Sequence, residues 1–229
     1  MIENKSSKIL RFPEDFVNKI IIGDALKLIK MIPDESIDII FTDPPYGLNK
    51  EGIHSDKDLS AFYKILPECY RVLKRNSWFI TFFSTKFLPY VFRDNPFAYF
   101  WQIIFYSPRA EVRSPIGITK YMSCLVFKKG NPKIIKPNKD LFEHIPGTKM
   151  VEPDEGFINH PTPKPKHLII KILRIFSKEG DLILDPFVGS GSTAVACKLI
   201  GRNFIGFEIN PEYVNIAKYR LSNIGENDE

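Results

Sequence analysis

Short apolar runs alternating with helical patterns constrain this 229-residue chain more than any other feature. "NKIIIG" (Asn18 to Gly23) is rich in β-branched residues, and behind it Leu26, Ile29 and Ile32 recur at helical spacing. "IDIIFT" (Ile37 to Thr42) is too apolar on both faces for a sheet that shows one side to water. Leu59, Phe62, Leu66, Cys69 and Leu73 then mark an amphipathic helix, and "SWFITFF" marks a strand. "YFWQIIFYS" (Tyr99 to Ser107) and "YMSCLVFKK" (Tyr121 to Lys129) read as an antiparallel pair. Near the end, "DLILDPF", a helix from about Ser192 to Ile200, "NFIGFE" and a helix from about Pro211 to Leu221 form one β-α-β-α unit. The pattern predicts an α/β domain around a largely parallel central sheet.

Composition agrees with a single domain built on one core: 44% of residues are hydrophobic and 26% charged, with no disordered or collagen-like bias. The start, "MIENKSSKILRF", lacks the apolar stretch of a signal peptide, and no run approaches the ~18 apolar residues of a membrane span, so a soluble, cytoplasmic protein is expected. Cys69, Cys124 and Cys197 fit neither a zinc pattern nor a disulfide framework and read as small core residues. His54, His144, His160 and His167 share no metal spacing, and no metal is expected. A net charge of +5 permits a polyanionic partner without demanding one.

Periodicity fades between Lys128 and Lys149, where six lysines stand against Asp140 and Glu143. Prolines at 132, 137, 146, 153, 161, 163 and 165 argue that the chain there crosses a surface. A solvated loop explains this composition; phosphate contacts from Lys133, Lys136 and Lys139 are the functional reading.

Ligands of open α/β sheets bind beyond the carboxyl ends of the strands, which directs attention to two places. In "LILDPFVGSGSTAVA" a strand ends at Asp185, and Gly189 and Gly191 precede a helix beginning near Ser192. Such a turn can be a mere tight connection, but Glu208 closes the next strand 19 residues beyond Gly189 (208 − 189), where an acid can accept hydrogen bonds from ribose hydroxyls. "GSGSTA" lacks the Gly-Lys-Ser/Thr ending of a triphosphate loop, so a nucleoside cofactor without a triphosphate fits better.

The second place is "TDPPYG", which could be only a proline-stiffened turn with Asp43 as turn former and Tyr46 as a lid. Pro44 and Pro45 nevertheless fix the backbone, holding the Asp43 carboxylate and the neighbouring carbonyls in one geometry. A rigid set of acceptors suits an amino group with two hydrogens to donate. Hydrogen bonds to Asp43 and the Pro44 carbonyl would draw an exocyclic base nitrogen toward tetrahedral geometry and stabilise the positive charge it develops on attacking a sulfonium methyl. Tyr46 offers a ring on which an extruded base can stack.

With these residues in view, the sequence resembles the beta-type, permuted DNA amino-methyltransferases that use S-adenosylmethionine, in which Asp-Pro-Pro-Tyr precedes the glycine motif. Asp43 precedes Asp185 by 142 residues (185 − 43), the order of that type. "GDALKLIKMIPDESIDIIFTDPPY", "NHPTPKPKHLIIKIL" and "DPFVGSGSTAVACKLIGRNFIGFEINPEYVNIAKYRL" resemble its blocks, so the likeness spans about residues 18 to 129 and 159 to 221. It implies a Rossmann-like methyltransferase fold in permuted order. It also implies catalytic roles for Asp43, Pro44, Pro45 and Tyr46. Asp24, Thr162, Lys164, Asp185, Phe187, Gly189, Ser190, Gly191, Ser192 and Glu208 would form the cofactor site, with Asp24 accepting from the cofactor's adenine amino group and Thr162 and Lys164 reaching its ribose and carboxylate side.

The implied activity is methyl transfer to N6 of adenine in double-stranded DNA, with N4 of cytosine as the alternative. A silent DNA-binding relative and an RNA or protein acceptor are the other readings. The resemblance also allows a homodimer and a restriction endonuclease partner. Pro163 stands where the family usually has Gln, Ser192 where it has Thr, and Gly47 where it often has Asn. Only about Arg109 to Ile158 is left for target recognition, which suggests a short site, a dimer or weak specificity.

Overall fold

The computed structural model describes residues 10–45, 59–109, 112–143, 151–152, 156–157 and 164–224. In chain order the elements are β1 (Lys19–Ile22), α1 (Ala25–Leu28), β2 (Ile37–Thr42), α2 (Ser60–Val72), β3 (Leu73–Phe83), α3 (Leu88–Val91), β4 (Ala98–Tyr106), β5 (Val112–Ser114), β6 (Gly117–Thr119), β7 (Tyr121–Lys129), β8 (Leu141–Glu143), β9 (Val151–Glu152), β10 (Gly156–Phe157), α4 (Lys166–Phe176), β11 (Leu182–Asp185), α5 (Ser192–Leu199), β12 (Asn203–Glu208) and α6 (Pro211–Ser222). Eight strands form one sheet in the order β1-β12-β11-β2-β3-β7-β4-β8. Its first five strands pair in parallel, β7 runs against both β3 and β4, and β8 lies parallel to β4 at the edge. The expected parallel sheet with an antiparallel pair is therefore the observed one. Permutation is visible at its centre, where β11 from the end of the chain lies beside β2 from the beginning.

Alternation along the strands splits the core in two. Ile39, Phe41, Ile80 and Phe82 face α4, α5 and α6, whereas Ile40, Phe79 and Phe83 face α1 and α2. Both faces are covered, which explains why β2 carries apolar residues on both, at Ile37, Ile39, Ile40 and Phe41, with Asp38 paired to Lys74 near its start. Each fully buried side chain such as Phe79 or Leu173 contributes ~1.5–3 kcal/mol of transfer free energy. Cys69, Cys124 and Cys197 lie in these cores, and burial pushes their thiols above the ordinary range.

Three features depart from the sequence pattern. The helix expected over Leu26, Ile29 and Ile32 is one α-turn followed by a 3-10 turn at Ile29–Met31. Helix α4, which the periodicity reading passed over, begins directly after Pro165, the last of the prolines read as a surface crossing, and buries Leu168, Ile169, Ile172, Leu173, Ile175 and Phe176. Lys129, counted in the basic segment, is buried: its ammonium donates to Tyr70 O at 2.7 Å and Leu73 O at 2.6 Å, satisfying the carbonyl end of α2. Among the described residues no helix is long and apolar enough to cross a membrane.

Candidate active site

Strands β11 and β2 point their carboxyl ends the same way, so Asp185 and Thr42 meet despite their separation in sequence. Thr42 Oγ1 donates to Asp185 Oδ1 at 2.9 Å, and the Phe187 N–H donates to the same oxygen at 3.0 Å. Thr193 Oγ1, from the first turn of α5, donates to Oδ2 at 2.6 Å. Burial pushes the Asp185 carboxyl up to about 7 against the pull of these hydrogen bonds, and the nearby Asp43 charge raises it further. Asp185 thus ties β2, the glycine turn and α5 together; its carboxylate faces protein donors on both oxygens.

The glycine turn is held from three sides. Gly191 caps α5 at φ +89°, and a Cβ there would stand 2.7 Å from Ala217 Cβ on α6, so glycine lets turn and helix touch. The Gly189 N–H donates to Glu208 Oε2 at 3.0 Å, and Asn210 N–H to Oε1 at 2.8 Å, which aims Glu208 at the turn. From below, buried Arg220 of α6 donates to Ser190 O at 2.7 Å and to Ser192 Oγ at 3.2 Å. Ser190 and Ser192 are accordingly buried. The sequence reading missed Arg220, although it occupies the inner stripe of α6 with Tyr213, Val214 and Ala217. An arginine at core spacing beside a glycine turn was the available signal.

Asp24 belongs to the same end of the sheet. Ile22 pairs with Glu208, and the Gly23 N–H donates to Glu208 O at 2.8 Å, so Asp24 and Glu208 follow adjoining parallel strands. Asp24 caps α1, accepting from the Leu26 N–H at 2.9 Å. Two carboxylates beside the glycine turn form an acceptor set that matches hydroxyls and an amine, as a nucleoside carries.

Asp43 follows β2, with Pro44 and Pro45 buried behind it. Its Oδ2 accepts a hydrogen bond from the Lys164 ammonium, which lies 5.4 Å from the centroid of the Phe82 ring. Lys164 precedes α4 by two residues, so the amino end of that helix reaches the site. Tyr46 and Thr162, named from the sequence, lie outside the described residues. Phe187 is partly buried and packs on the α1–α2 side of the sheet.

Lys133, Lys136 and Lys139 are exposed, but they do not join this group. The Ile135 and Lys136 N–H groups donate to Ile175 O, at the carboxyl end of α4, at 2.9 and 3.1 Å. That end of α4 leads into the start of β11, opposite the strand ends that carry Asp43 and Asp185. Lys133 offers its carbonyl to Trp78 Nε1 at 3.4 Å, and the Lys139 ammonium stands 5.7 Å from the Phe142 ring at the β8 edge. Among the described residues no cluster of His, Cys, Asp and Glu is arranged to hold a metal ion.

Residues 37–219 match the family model described as DNA methylase, of the N6/N4 type. Type II methyltransferase M.HpaI of Haemophilus parainfluenzae is 32% identical over 233 residues, covering 89% of this chain and 74% of that protein. DNA adenine methyltransferase YhdJ of Escherichia coli K12 is 30% identical, covering 88% of this chain and 82% of its own. Among solved structures, the M1.HpyAVI–SAM complex superposes with a TM-score of 0.67 at 28% identity, over 89% of this chain and 98% of that one. The cytosine-N4-specific PvuII DNA methyltransferase shares the fold, with a TM-score of 0.72 at 22% identity over 90% of this chain and 88% of that one.

Proposed function

On the premise that this chain belongs to the N6/N4 DNA methylase family, which the family match over residues 37–219 establishes, we propose that it transfers a methyl group from S-adenosylmethionine to N6 of adenine in double-stranded DNA. The observation that supports this reading is the β11–β2 junction, where the Asp43 carboxylate, which accepts from the Lys164 ammonium, stands near Asp185 and the glycine turn that Glu208 holds. Adenine as target rests on the adenine methyltransferase among its relatives. A second copy of the chain and a restriction endonuclease belong to the same proposal and rest on the resemblance alone.

The residues present fit the cofactor. Glu208 would accept from ribose hydroxyls, Asp24 from the adenine amino group, and Phe187 would offer an apolar face; Gly189 to Ser192 would let the backbone approach. Bound S-adenosylmethionine supplies an electrophilic methyl group on a sulfonium. Asp43 and the Pro44 carbonyl accept the two hydrogens of the target amine, which localises the nitrogen lone pair. Tyr46 stacks on the extruded base. As the nitrogen–carbon bond forms and the carbon–sulfur bond breaks, the nitrogen becomes positive, and Asp43 is placed to take the proton it then sheds. Asp185 and Arg220 act through the turn and are positioning residues.

Incubating unmethylated plasmid DNA with the protein and isotopically labelled cofactor, then measuring nucleosides by mass spectrometry, tests the reading. Labelled N6-methyladenine is expected. Label in N4-methylcytosine, or none in DNA, would overturn it.

A further inference from the structure

Between β4 and β7 the chain leaves the sheet as the β5–β6 hairpin, in which Ser114 pairs with Gly117 around a two-residue turn of Pro115 and Ile116. Its root is fastened, since the Ser107 N–H donates to Lys120 O at 2.6 Å and the Lys120 ammonium to Pro108 O at 3.0 Å. Pro115 fixes one turn residue, and Gly117 supplies φ +123°, a region side-chain-bearing residues rarely adopt. Because β7 opposes both β3 and β4, strand β4 runs with β2, and the hairpin rises from the same end of the sheet as Asp43. Two strand spacings separate β7 from β2, roughly 10 Å.

The tip is unusual for a turn. Ile116 is 97% exposed where Asn, Asp or Gly is the ordinary choice, and Ile118 beside it is 53% exposed. Exposed Arg113 pairs with Ile118 in the hairpin and exposed Arg109 stands at its root; with Lys120 they outnumber Glu111 in the stretch 109–120. An apolar tip on a short cationic hairpin that leaves the sheet at the end carrying Asp43 has the chemistry of a wedge for a polyanionic stack of bases.

We propose that this hairpin enters duplex DNA beside the target base, with Ile116 filling the gap left by the extruded base and Arg109 and Arg113 on flanking phosphates; this rests on the DNA-methylating reading above. Extruding a base leaves unstacked neighbours, and an apolar wedge offsets that loss.

The test uses the full chain and a duplex containing the methylated site, located by sequencing the product of the plasmid assay, with 2-aminopurine at the target for fluorescence and adenine there for rate. Ile116→Ala should reduce the fluorescence rise on binding and slow single-turnover methylation about tenfold. Ile116→Leu should stay near the parent. On a duplex with an abasic position opposite the target, where extrusion is already eased, Ile116→Ala should approach the parental rate. Arg113→Ala should lower the log–log salt slope of binding by ~0.9. Parental flipping and rate by Ile116→Ala on the intact duplex would overturn the proposal, as would a loss that the abasic partner does not rescue. A parent protein that methylates no DNA would overturn the functional reading, and the hairpin's role with it.

Discussion

The Lys164 ammonium is hydrogen-bonded to the Asp43 carboxylate, joining two residues 121 positions apart that the sequence assigns to different tasks, one to the cofactor and one to the target base. The ammonium donates to Oδ2 of Asp43 as the target amine would donate to the carboxylate, which has two oxygens to accept with. Both side chains are mostly buried, at 14% and 23% exposed, and water screens the pair only in part. A double-mutant cycle of Asp43→Asn and Lys164→Met, followed by urea unfolding, should give a coupling of ~1–3 kcal/mol. Additive effects would mean that the contact contributes nothing to the fold.

Gly191 should be intolerant for a reason that can be undone in part. Gly191→Ala places a methyl 2.7 Å from Ala217 Cβ at φ +89°, and a loss of ~2–4 kcal/mol is expected. Adding Ala217→Gly removes the Cβ contact but leaves the backbone Cα of that residue 3.0 Å away and places a glycine inside α6, so the double variant should be more stable than the sum of the two single changes by ~1 kcal/mol. Strictly additive losses would show that packing against α6 is not what requires glycine.

Arg220 should matter to the cofactor without touching it. Arg220→Met removes the donors to Ser190 O and Ser192 Oγ, lowering stability by ~1.5–3 kcal/mol and loosening the turn. Calorimetry should find weaker S-adenosylmethionine binding at a temperature where the variant is fully folded. Unchanged affinity would make Arg220 a packing residue only.

Asp185 sets a pH dependence whose sign follows from its burial. A carboxyl raised from 3.8 to about 7 in the folded state holds its proton better there than in the unfolded chain. Stability from this group is therefore full below the unfolded value and declines as pH rises toward the folded one. Between pH 6 and pH 8 the loss is on the order of 1 kcal/mol. Denaturant midpoints should fall across that interval in the parent and stay flatter in Asp185→Asn.

Much of this was legible in the sequence because strands covered on both faces are mostly apolar runs, and their carboxyl ends, at Asp43, Asp185 and Glu208, are where ligands of open α/β sheets bind. Helix α4 was obscured by the prolines before it, although Leu168, Ile172 and Ile175 keep helical spacing. Charge counting misled in the basic segment, since it cannot tell buried Lys129, which closes α2, from lysines in water. Nor can local pattern show which end of a sheet a loop leaves from: Lys133 and Lys136 lie at the end opposite the site, and the short hairpin at Val112–Thr119 leaves at the site's own end. The Lys164–Asp43 contact depends on β2 and the start of α4 meeting in space, which no local spacing encodes.

The central claim is that Asp43 accepts hydrogen bonds from the amine being methylated, and Asp43→Asn tests it most directly. Asparagine keeps the shape but can present an NH₂ to a group that must itself donate. With saturating cofactor, single-turnover transfer of label into N6-methyladenine should fall at least ~10²–10³-fold, while calorimetric cofactor affinity stays close to the parent's. Methylation by Asp43→Asn at near the parental rate would contradict the account and leave Asp43 a turn residue.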